Sequence, residues 1–431
     1  MTAILEPYTA HPYFAVELHF RRGTAGDPIG QEGLTHLAAE LLMRGTRRQT
    51  RADFDATVEG LGAGIEVMAG RDDLAISADG LSRSMETLID LVGEMLVEPR
   101  LDEEELERLK RQTIAEIAER QDSDEELAQH VFYQVLYGSN PFGRPTKGTR
   151  ASLAGLTLSH LRERLPTLLA RERLLIGASG DVSPARLESA LRPWLERLPA
   201  TSVPEAPSVT LPNTGQRRVV LIDKPERTQT QIWIGVPGPS VHHPDFLPLM
   251  IGNTVFGGTF TARLSREIRE KRGWSYGANS YLFGLRDHGA LCAHFYPATK
   301  DAVPALRLGL RLLERFAAQG VNRRELAFAK SYLVNGFPFR LESARKRLDE
   351  RLRLELLGLS QSHLDTFVDR VGAVTLADVN RAIATHVRPD SARIVIVCTA
   401  KTLRKPIERL VGSAGLVQVH PFDVEWRHGQ D

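Results

Sequence analysis

The chain has 431 residues, of which 42% are hydrophobic and 25% are charged, and its formal net charge is +1. This length is too great for one ordinary domain, and this composition is typical of a soluble globular protein. The near-neutral charge gives no electrostatic reason to expect nucleic acid or an anionic membrane as a partner. No apolar run in the sequence approaches the roughly 20 residues that a membrane-spanning helix needs.

The first residues, MTAILEPYTAHPYF, contain neither the basic nor the apolar segment of a signal peptide. The expected location is therefore the cytoplasm, or the periplasm if a leader has been removed. Cys292 and Cys398 each stand alone in an apolar run. This predicts two buried free thiols rather than a disulfide framework or a metal site.

Alternating and helical hydrophobic patterns follow one another along the first half of the chain. They predict strands at 12–20, 63–69, 73–79 and 172–179, and helices at 34–44, 51–61, 83–97 and 103–120. Residues 201–216 contain three prolines and no helical pattern, which is typical of a linker. We therefore expect one half at 1–200 and a second half at 217–431.

The second half repeats the first at offsets of 218–220 residues, or about 215 residues for one strand. The aligned segments are 101–110 with 321–330, 156–158 with 374–376, and 16–23 with 232–238. A repeat of this length indicates two copies of one structural unit. The mixture of strands and long helices predicts an α+β fold, with a sheet packed on helices in each of two homologous α/β sandwich halves.

The segment 257–276, GGTFTARLSREIREKRGWSY, combines a turn, a helix and aromatic residues. Gly257 and Gly258 suit a tight turn, and Gly273 suits the end of the helix. The aromatic residues that follow predict a strand. Arg269 and Tyr276 are both hydrogen-bond donors, and two donors that converge on one point can stabilise an oxyanion. The alternative is that Arg269 lies on a solvated helix face and Tyr276 packs in a strand.

The repeat, the loop and helix at 26–45, and the run REKRGWSYG at 269–277 together resemble the pitrilysin and mitochondrial-processing-peptidase family, metallopeptidase family sixteen. The resemblance covers essentially the whole chain. It implies that the two halves form half of a clamshell. It also implies a zinc motif, His-x-x-Glu-His, in which two histidines bind zinc, the glutamate activates water, and a distant glutamate completes the ligands.

In this sequence the matching helix departs from the motif. His36 matches the first ligand, Ala39 replaces the base, Glu40 replaces the second histidine, and Glu116 matches the distant ligand. Alanine cannot take a proton from water, so the chain is expected to be inactive alone and to use no zinc cofactor of its own. His36, Glu40 and Glu116 either form a small polar cluster or hold a residual zinc ion.

The resemblance also implies roles in the second half. Arg269 and Tyr276 match residues that hold the scissile carbonyl and its oxyanion. Gly257 and Gly258 match a glycine-rich loop near the substrate, and the alternative for them is a helix-entry turn.

The predicted function is a non-catalytic subunit of a zinc peptidase. Its partner would be a homologous subunit that carries zinc on an intact His-x-x-Glu-His motif, and the substrates would be peptides or unfolded polypeptides. Two other functions remain open, namely a purely structural core subunit and a homodimeric peptide-binding chamber without hydrolysis.

Overall fold

The computed structural model of the chain describes residues 2–202, 211, 215–412 and 415–426. Its strands are β1 Thr2–Pro7, β2 Tyr13–Phe20, β3 Gly64–Ala69, β4 Leu74–Leu81, β5 Leu174–Gly180, β6 Arg217–Asp223, β7 Gln231–Gly238, β8 Ala278–Gly284, β9 Gly289–Phe295, β10 Arg393–Cys398 and β11 Gly415–Pro421. The strands predicted in the first half are confirmed within a few residues at their ends.

The helices are α1 Leu34–Leu42, α2 Arg51–Gly60, α3 Met85–Val97, α4 Glu103–Arg120, α5 Asp124–Tyr137, α6 Arg150–Gly155, α7 Leu158–Leu168, α8 Pro184–Leu195, α9 Phe246–Phe256, α10 Arg263–Ser265, α11 Ala302–Gln319, α12 Arg323–Gly336, α13 Ala344–Leu356, α14 Ser362–Asp365, α15 Phe367–Ala373, α16 Leu376–His386 and α17 Ala400–Val411. Within the described ranges, no helix is long and apolar enough to cross a membrane.

The two sheets have the same topology. The first has the strand order β1-β5-β2-β4-β3, and the second has the order β6-β10-β7-β9-β8 with β11 added beside β6. In each, the first pair of strands is parallel, and the three pairs that follow are antiparallel. The predicted repeat and the predicted α+β fold are therefore confirmed.

Two equivalent lysines show the repeat at the level of side chains. Lys110 on α4 donates from Nζ to the carbonyl oxygen of Leu156 at 3.0 Å, just before α7. Lys330 on α12 donates in the same way to the carbonyl oxygen of Gly372 at 2.7 Å, shortly before α16. Each lysine thus satisfies a backbone acceptor that no helix or strand ladder reaches.

The chain contacts divide the molecule into two compact units whose sequences are interleaved. Unit 1 takes the chain up to Ala118, a stretch from Arg144 onward, and Phe339–Leu356, which contains α13. Unit 2 takes Glu119–Gly143, which contains α5, together with most of the C-terminal half. The sequence analysis expected a boundary between the halves at 201–216 and did not predict this exchange of helices. Most of the linker predicted there lies outside the described residues.

Each exchanged helix packs on a glycine of the sheet that it covers. In unit 1, Leu348 and Leu352 of α13 lie so close to Gly177 that a Cβ atom there would be 2.9 and 2.7 Å from their methyl groups. In unit 2, a Cβ atom on Gly235 would lie 2.5 Å from the ring of Phe132 on α5. A side chain at either glycine would occupy space that the helix already fills.

A partly buried charge network also ties α13 to the first sheet. His19 on β2 contacts Asp73 at 2.8 Å and Glu17 at 3.6 Å. Arg345 at the start of α13 pairs with Glu17. Burial by itself would lower the pKa of His19, but the hydrogen bonds and charges of the two carboxylates outweigh it and raise the pKa to about 9.

Both cysteines are buried and free, as predicted, Cys292 on β9 and Cys398 on β10. The aromatic segment after Gly273 differs from its prediction. Only Tyr281 lies in a strand, β8, whereas Trp274 and Tyr276 belong to the loop before it. The loop forms because Gly273 has a φ of 62°, which reverses the chain direction before the strand can begin.

Candidate functional site

Helix α1 presents a single polar face. Its other sides are packed in the core of unit 1 by Leu37, Ala38, Leu41 and neighbouring residues. His36 and Glu40, one turn apart, are only partly buried. They therefore lie together on the one side of the helix that is not covered by apolar side chains.

The start of α1 is fixed by a buried ion pair. Asp27 accepts the backbone N–H of Thr35 at 3.2 Å, and Arg164 lies 3.6 Å from the same carboxylate. Arg164 also donates to the Thr35 hydroxyl oxygen at 2.9 and 3.0 Å. Burial raises the pKa of Asp27 and lowers that of Arg164 to about 10, so each charge depends on the other and on Thr35.

The polar face of α1 borders a cavity of about 330 Å³ in unit 1. Strand β3, helix α4 and the loop before α6 complete its lining. The residues that matter for metal chemistry are His36, Glu40, Gln112, Glu116 and Lys147. The structure thus brings the three predicted metal-site positions to one cavity.

A lysine, which the sequence analysis did not identify, neutralises the distal glutamate. Lys147 donates from Nζ to Glu116 Oε2 at 2.6 Å, and Gln112 donates to Oε1 at 3.0 Å. Burial alone would raise the pKa of Glu116, but these two hydrogen bonds and the charges of Lys147 and His36 lower it. Both carboxylate oxygens are therefore already paired with donors from the chain.

This donor set does not fit a catalytic zinc ion. Lys147 supplies the positive charge beside Glu116 that a metal would otherwise supply, and the Glu40 carboxylate lies 3.6 Å from Arg44. Ala39 is 1% exposed and packs in the core, where it offers no proton acceptor. The pairing of Glu116 with Lys147 favours the small polar cluster, one of the two alternatives for these residues, which stays a prediction.

In unit 2, the segment that carries Arg269 has an unusual helix. After the short turn of α10, residues Arg266–Glu270 are π-helical. The backbone N–H of Lys271 accordingly bonds the carbonyl oxygen of Arg266, five residues back, at 3.0 Å. Leu264 and Ile268 anchor the segment in the core, each fully buried. Single π-helical turns within helices occur frequently at functional sites.

The two glycines before this segment allow close packing. A Cβ atom on Gly257 would lie 2.5 Å from the hydroxyl oxygen of Ser280 on β8, and one on Gly258 would lie 3.0 Å from the Cα of Thr254. The backbone of Gly257 also accepts the N–H of Ser280 at 2.9 Å. Gly257 thus packs the end of α9 against β8, whereas the close contacts of Gly258 are with α9 itself.

Arg269 and Tyr276 lie in an exposed aromatic group. The Arg269 guanidinium carbon is 3.4 Å from the centre of the Phe260 ring, which is a cation–π contact. Phe260 is 66% exposed and Tyr276 is 87% exposed. Burial raises the pKa of Tyr296, Tyr276 adds to the rise and Arg269 opposes it, so both residues are within electrostatic reach of Tyr296.

The loop that carries Tyr276 is held against the end of β9. The hydroxyl of Ser275 donates to the carbonyl oxygen of Gly277 at 2.5 Å and accepts the backbone N–H of Tyr296 at 2.9 Å. A Cβ atom on Gly277 would lie 2.6 Å from the Tyr296 hydroxyl. The backbone beneath Tyr276 is thereby fixed, although its ring projects into solvent.

Phe260, Tyr296 and Lys147 were missed in the sequence analysis. Lys147 and Tyr296 lie far along the chain from the residues that they contact, and no spacing connects them. Phe260 is nine residues before Arg269, and this nearness in the sequence was the one local signal of their cation–π contact. None of the three belongs to a recognisable motif.

Family models match most of the chain. A model described as "Insulinase (Peptidase family M16)" matches residues 4–150, and one described as "Peptidase M16 inactive domain" matches residues 155–333. The chain is 26% identical over 371 residues to an uncharacterized zinc protease of Streptomyces coelicolor, which covers 85% of this chain and 80% of that protein. It is 24% identical over 396 residues to a protein of Helicobacter pylori named as a non-peptidase homolog, with 90% of each chain covered.

Solved structures show the same fold. A peptidase M16 inactive domain from Pseudomonas fluorescens matches with a TM-score of 0.84 and 23% identity, covering 92% of this chain and 94% of that one. A protease from Helicobacter pylori matches with a TM-score of 0.82 and 16% identity, covering 92% and 96%. These solved structures share the fold, and the family models establish that the chain belongs to peptidase family M16.

Proposed function

We propose that this chain is the non-catalytic subunit of a heteromeric zinc peptidase and that it contributes Arg269 and Tyr276 to the active site of a homologous subunit. The observation that carries the proposal is that Tyr276 is exposed and Arg269 is partly exposed, each on a backbone held by buried neighbours. Tyr276 is 87% exposed. Arg269 packs on the Phe260 ring and stands on a π-helical turn that Ile268 anchors in the core.

Neither side chain has an evident role in folding. An exposed phenol contributes little apolar burial, and substitutions at exposed positions usually change the free energy of unfolding by less than about 0.5 kcal/mol. Such residues on a fixed backbone are well placed to contact another molecule. The exposed phenol and the partly exposed guanidinium beside it favour a role in binding or catalysis over a purely structural one.

The chemistry of the pair suits a peptide carbonyl. A guanidinium offers several N–H donors in a planar fork, and a phenol offers one O–H donor. When water attacks a peptide bond, negative charge develops on the carbonyl oxygen, and preorganised donors stabilise that charge. Arg269 and Tyr276 would supply these donors, and neither would need to gain or lose a proton.

The zinc and the general base would come from the partner. In this chain Ala39 cannot accept a proton, and Lys147 occupies the cation position beside Glu116. The partner would be a homologous subunit with an intact His-x-x-Glu-His motif. The substrates would be peptides or unfolded polypeptides.

Purification from the native source tests the proposal. A tagged copy of this chain should bring with it a homologue that carries the intact motif, and the pair should cleave an unstructured peptide in a zinc-dependent manner. Each subunit alone should be inactive. If the chain purifies without such a homologue and binds peptides as a homodimer, it is a peptide-binding chamber without hydrolysis. If the homologue alone is fully active, the proposed role is wrong.

A further inference from the structure

A second group of metal-ligating side chains lies in unit 2, outside the regions described above. His243 and Asp245 stand in the turn that precedes α9, and His386 is the last residue of α16. One ligand atom from each of the three lies within 4.8 Å of the other two. Helices α9 and α16 pack together, since a Cβ atom on Gly252 of α9 would lie 3.0 Å from Ile383 of α16.

The distances suit a small tetrahedral cation. With metal–ligand bonds of about 2.0–2.2 Å, neighbouring ligand atoms in a tetrahedral site are about 3.3 Å apart. His386 Nε2 is 3.1 Å from Asp245 Oδ2, and His243 Nδ1 is 3.9 Å from the same oxygen. His243 Nδ1 accepts the backbone N–H of Asp245 at 3.1 Å, and a metal would take the place of that N–H. The three ligand atoms lie within 4.8 Å of one another, so metal binding would also require the His243 ring to turn towards Asp245 and His386.

The carboxylate is oriented by a second layer of contacts. Arg381 donates from Nη2 to Asp245 Oδ1 at 2.9 Å, which leaves Oδ2 directed at the two histidines. Arg381 also donates from Nη1 to Asp378 at 2.8 Å, so the charge of the guanidinium is balanced by a different carboxylate. Ligating carboxylates in metal sites are commonly held in this way by hydrogen bonds from the surrounding shell.

We propose that His243, Asp245 and His386 bind one transition-metal ion, with zinc as the expected occupant, and that the ion joins the start of α9 to the end of α16. Two imidazoles and one carboxylate suit zinc, nickel and copper rather than calcium or magnesium, which prefer oxygen ligands. The Asp245 side chain is 9% exposed and that of His243 is 43% exposed. An ion can therefore enter from solvent, and a water molecule can fill the fourth position.

The role of such an ion is structural. Three protein ligands from two elements would restrain the N-terminal end of α9, and the other end of this helix carries Gly257. The site is separate from the cavity that borders His36, because its ligands all belong to unit 2.

Metal titration of the purified full-length chain tests the proposal. After chelator treatment and dialysis, the wild type should bind one zinc ion per chain and melt at least about 3 °C higher with zinc than without it. Cobalt in place of zinc should give the visible absorption of a tetrahedral site. The variants His243→Ala and His386→Gln should each weaken zinc binding at least 100-fold, and Arg381→Ala should weaken it about 10- to 100-fold.

Two variants make the test specific. His242→Ala is the matched control. The His242 imidazole bonds the carbonyl oxygen of Leu357 instead of the proposed ligands, so this substitution should leave zinc affinity unchanged. His386→Gln retains a donor for Asp245, so the metal-free protein should stay folded while the zinc-dependent rise in melting temperature disappears. Absence of stoichiometric binding in the wild type would overturn the proposal. Loss of binding in His36→Ala but not in His386→Gln would also overturn it, because the ion would then lie in unit 1.

Discussion

The cavity beside α1 and the surface around Arg269 differ in how their polar groups are satisfied. In the cavity, Glu116 is paired with Lys147 and Gln112, and Glu40 lies near Arg44. On the surface, Arg269 rests on an aromatic ring, and Tyr276 points into solvent. One region thus satisfies its charges internally, and the other keeps hydrogen-bond donors available for a second molecule. The contrast thus separates the paired charges of unit 1 from the solvent-facing donor of unit 2.

The largest effect should follow from removing the exposed donors. In a complex reconstituted with the catalytic homologue, Tyr276→Phe and Arg269→Lys should each lower kcat by about 10²- to 10³-fold, since each removes one oxyanion donor or its planar geometry. Turnover of an unstructured peptide measures the effect. Subunit affinity should not change, and Tyr332→Phe, on an exposed tyrosine of α12, should have no effect. Full activity of the double variant would show that the surface is not part of an active site.

The next effect concerns the charges that unit 1 satisfies internally. The pKa of folded His19 is about 9, above the usual 6.5, because Asp73 and Glu17 stabilise its charged form. Its stabilisation is therefore complete below pH 6.5 and is lost as the pH rises through 9, up to about 3 kcal/mol in total. Between pH 6.5 and 9, denaturant unfolding should therefore show the free energy of unfolding of the wild type falling towards that of His19→Gln.

His11→Gln, which alters an exposed histidine of the same unit, is the control for that measurement and should track the wild type at every pH. A difference between wild type and His19→Gln that stays constant from pH 6 to 9 would mean that the histidine acts by packing alone.

A smaller effect is expected where the exchanged helices pack. Gly177→Val should lower the free energy of unfolding by about 1–3 kcal/mol, because its side chain would overlap Leu348 and Leu352. Gly235→Val should do the same in unit 2 through Phe132. Gly155→Val, at a site with open space around it, should be nearly neutral. If denaturant unfolding gave the same free energy of unfolding for all three variants, the packing that the structure shows would be contradicted.

The smallest effect should come from the lysine beside Glu116. Lys147→Met should lower the free energy of unfolding by less than about 1 kcal/mol, because both partners are about one-third exposed. The pKa of folded Glu116 is lowered, so the contribution exists above the usual carboxyl pKa and is lost as the pH falls through the folded value. Lys346→Met, which alters an exposed pair between the start of α13 and Glu342 just before it, is the control. If Lys147→Met still lowers the free energy of unfolding in acid, where Glu116 is protonated, the lysine does not act through this carboxylate.

Local pattern was sufficient for much of the fold. The prediction for α4 matches its observed bounds, Glu103–Arg120, because its apolar residues recur with helical spacing and acidic residues stand in its first turn. The repeat was visible because aligned segments, such as 101–110 with 321–330, recur at a nearly constant offset. The cavity that unites His36, Glu40 and Glu116 followed from the family resemblance.

What the sequence did not reveal depends on contacts between distant segments. Nothing near Lys147 indicates that it reaches Glu116, and nothing in α5 or α13 indicates which sheet each covers. The strand expected at Trp274 and Tyr276 failed because a left-handed glycine and the hydrogen bonds of Ser275 favour a loop there. In each case tertiary packing decides the outcome, and local propensity does not contain that information.

The exchange of α5 and α13 has a consequence for synthesis on the ribosome. The apolar cluster that joins β1 and β5 to Leu348 and Leu352 is complete only after α13 has been made, when most of the second half has already left the ribosome. Until then, Ile4 and Leu175 expose apolar surface that an aggregating neighbour or a chaperone can bind. This part of unit 1 completes its packing only after α13 has been made, so we expect a chain truncated before Ala344 to be prone to aggregation and degradation.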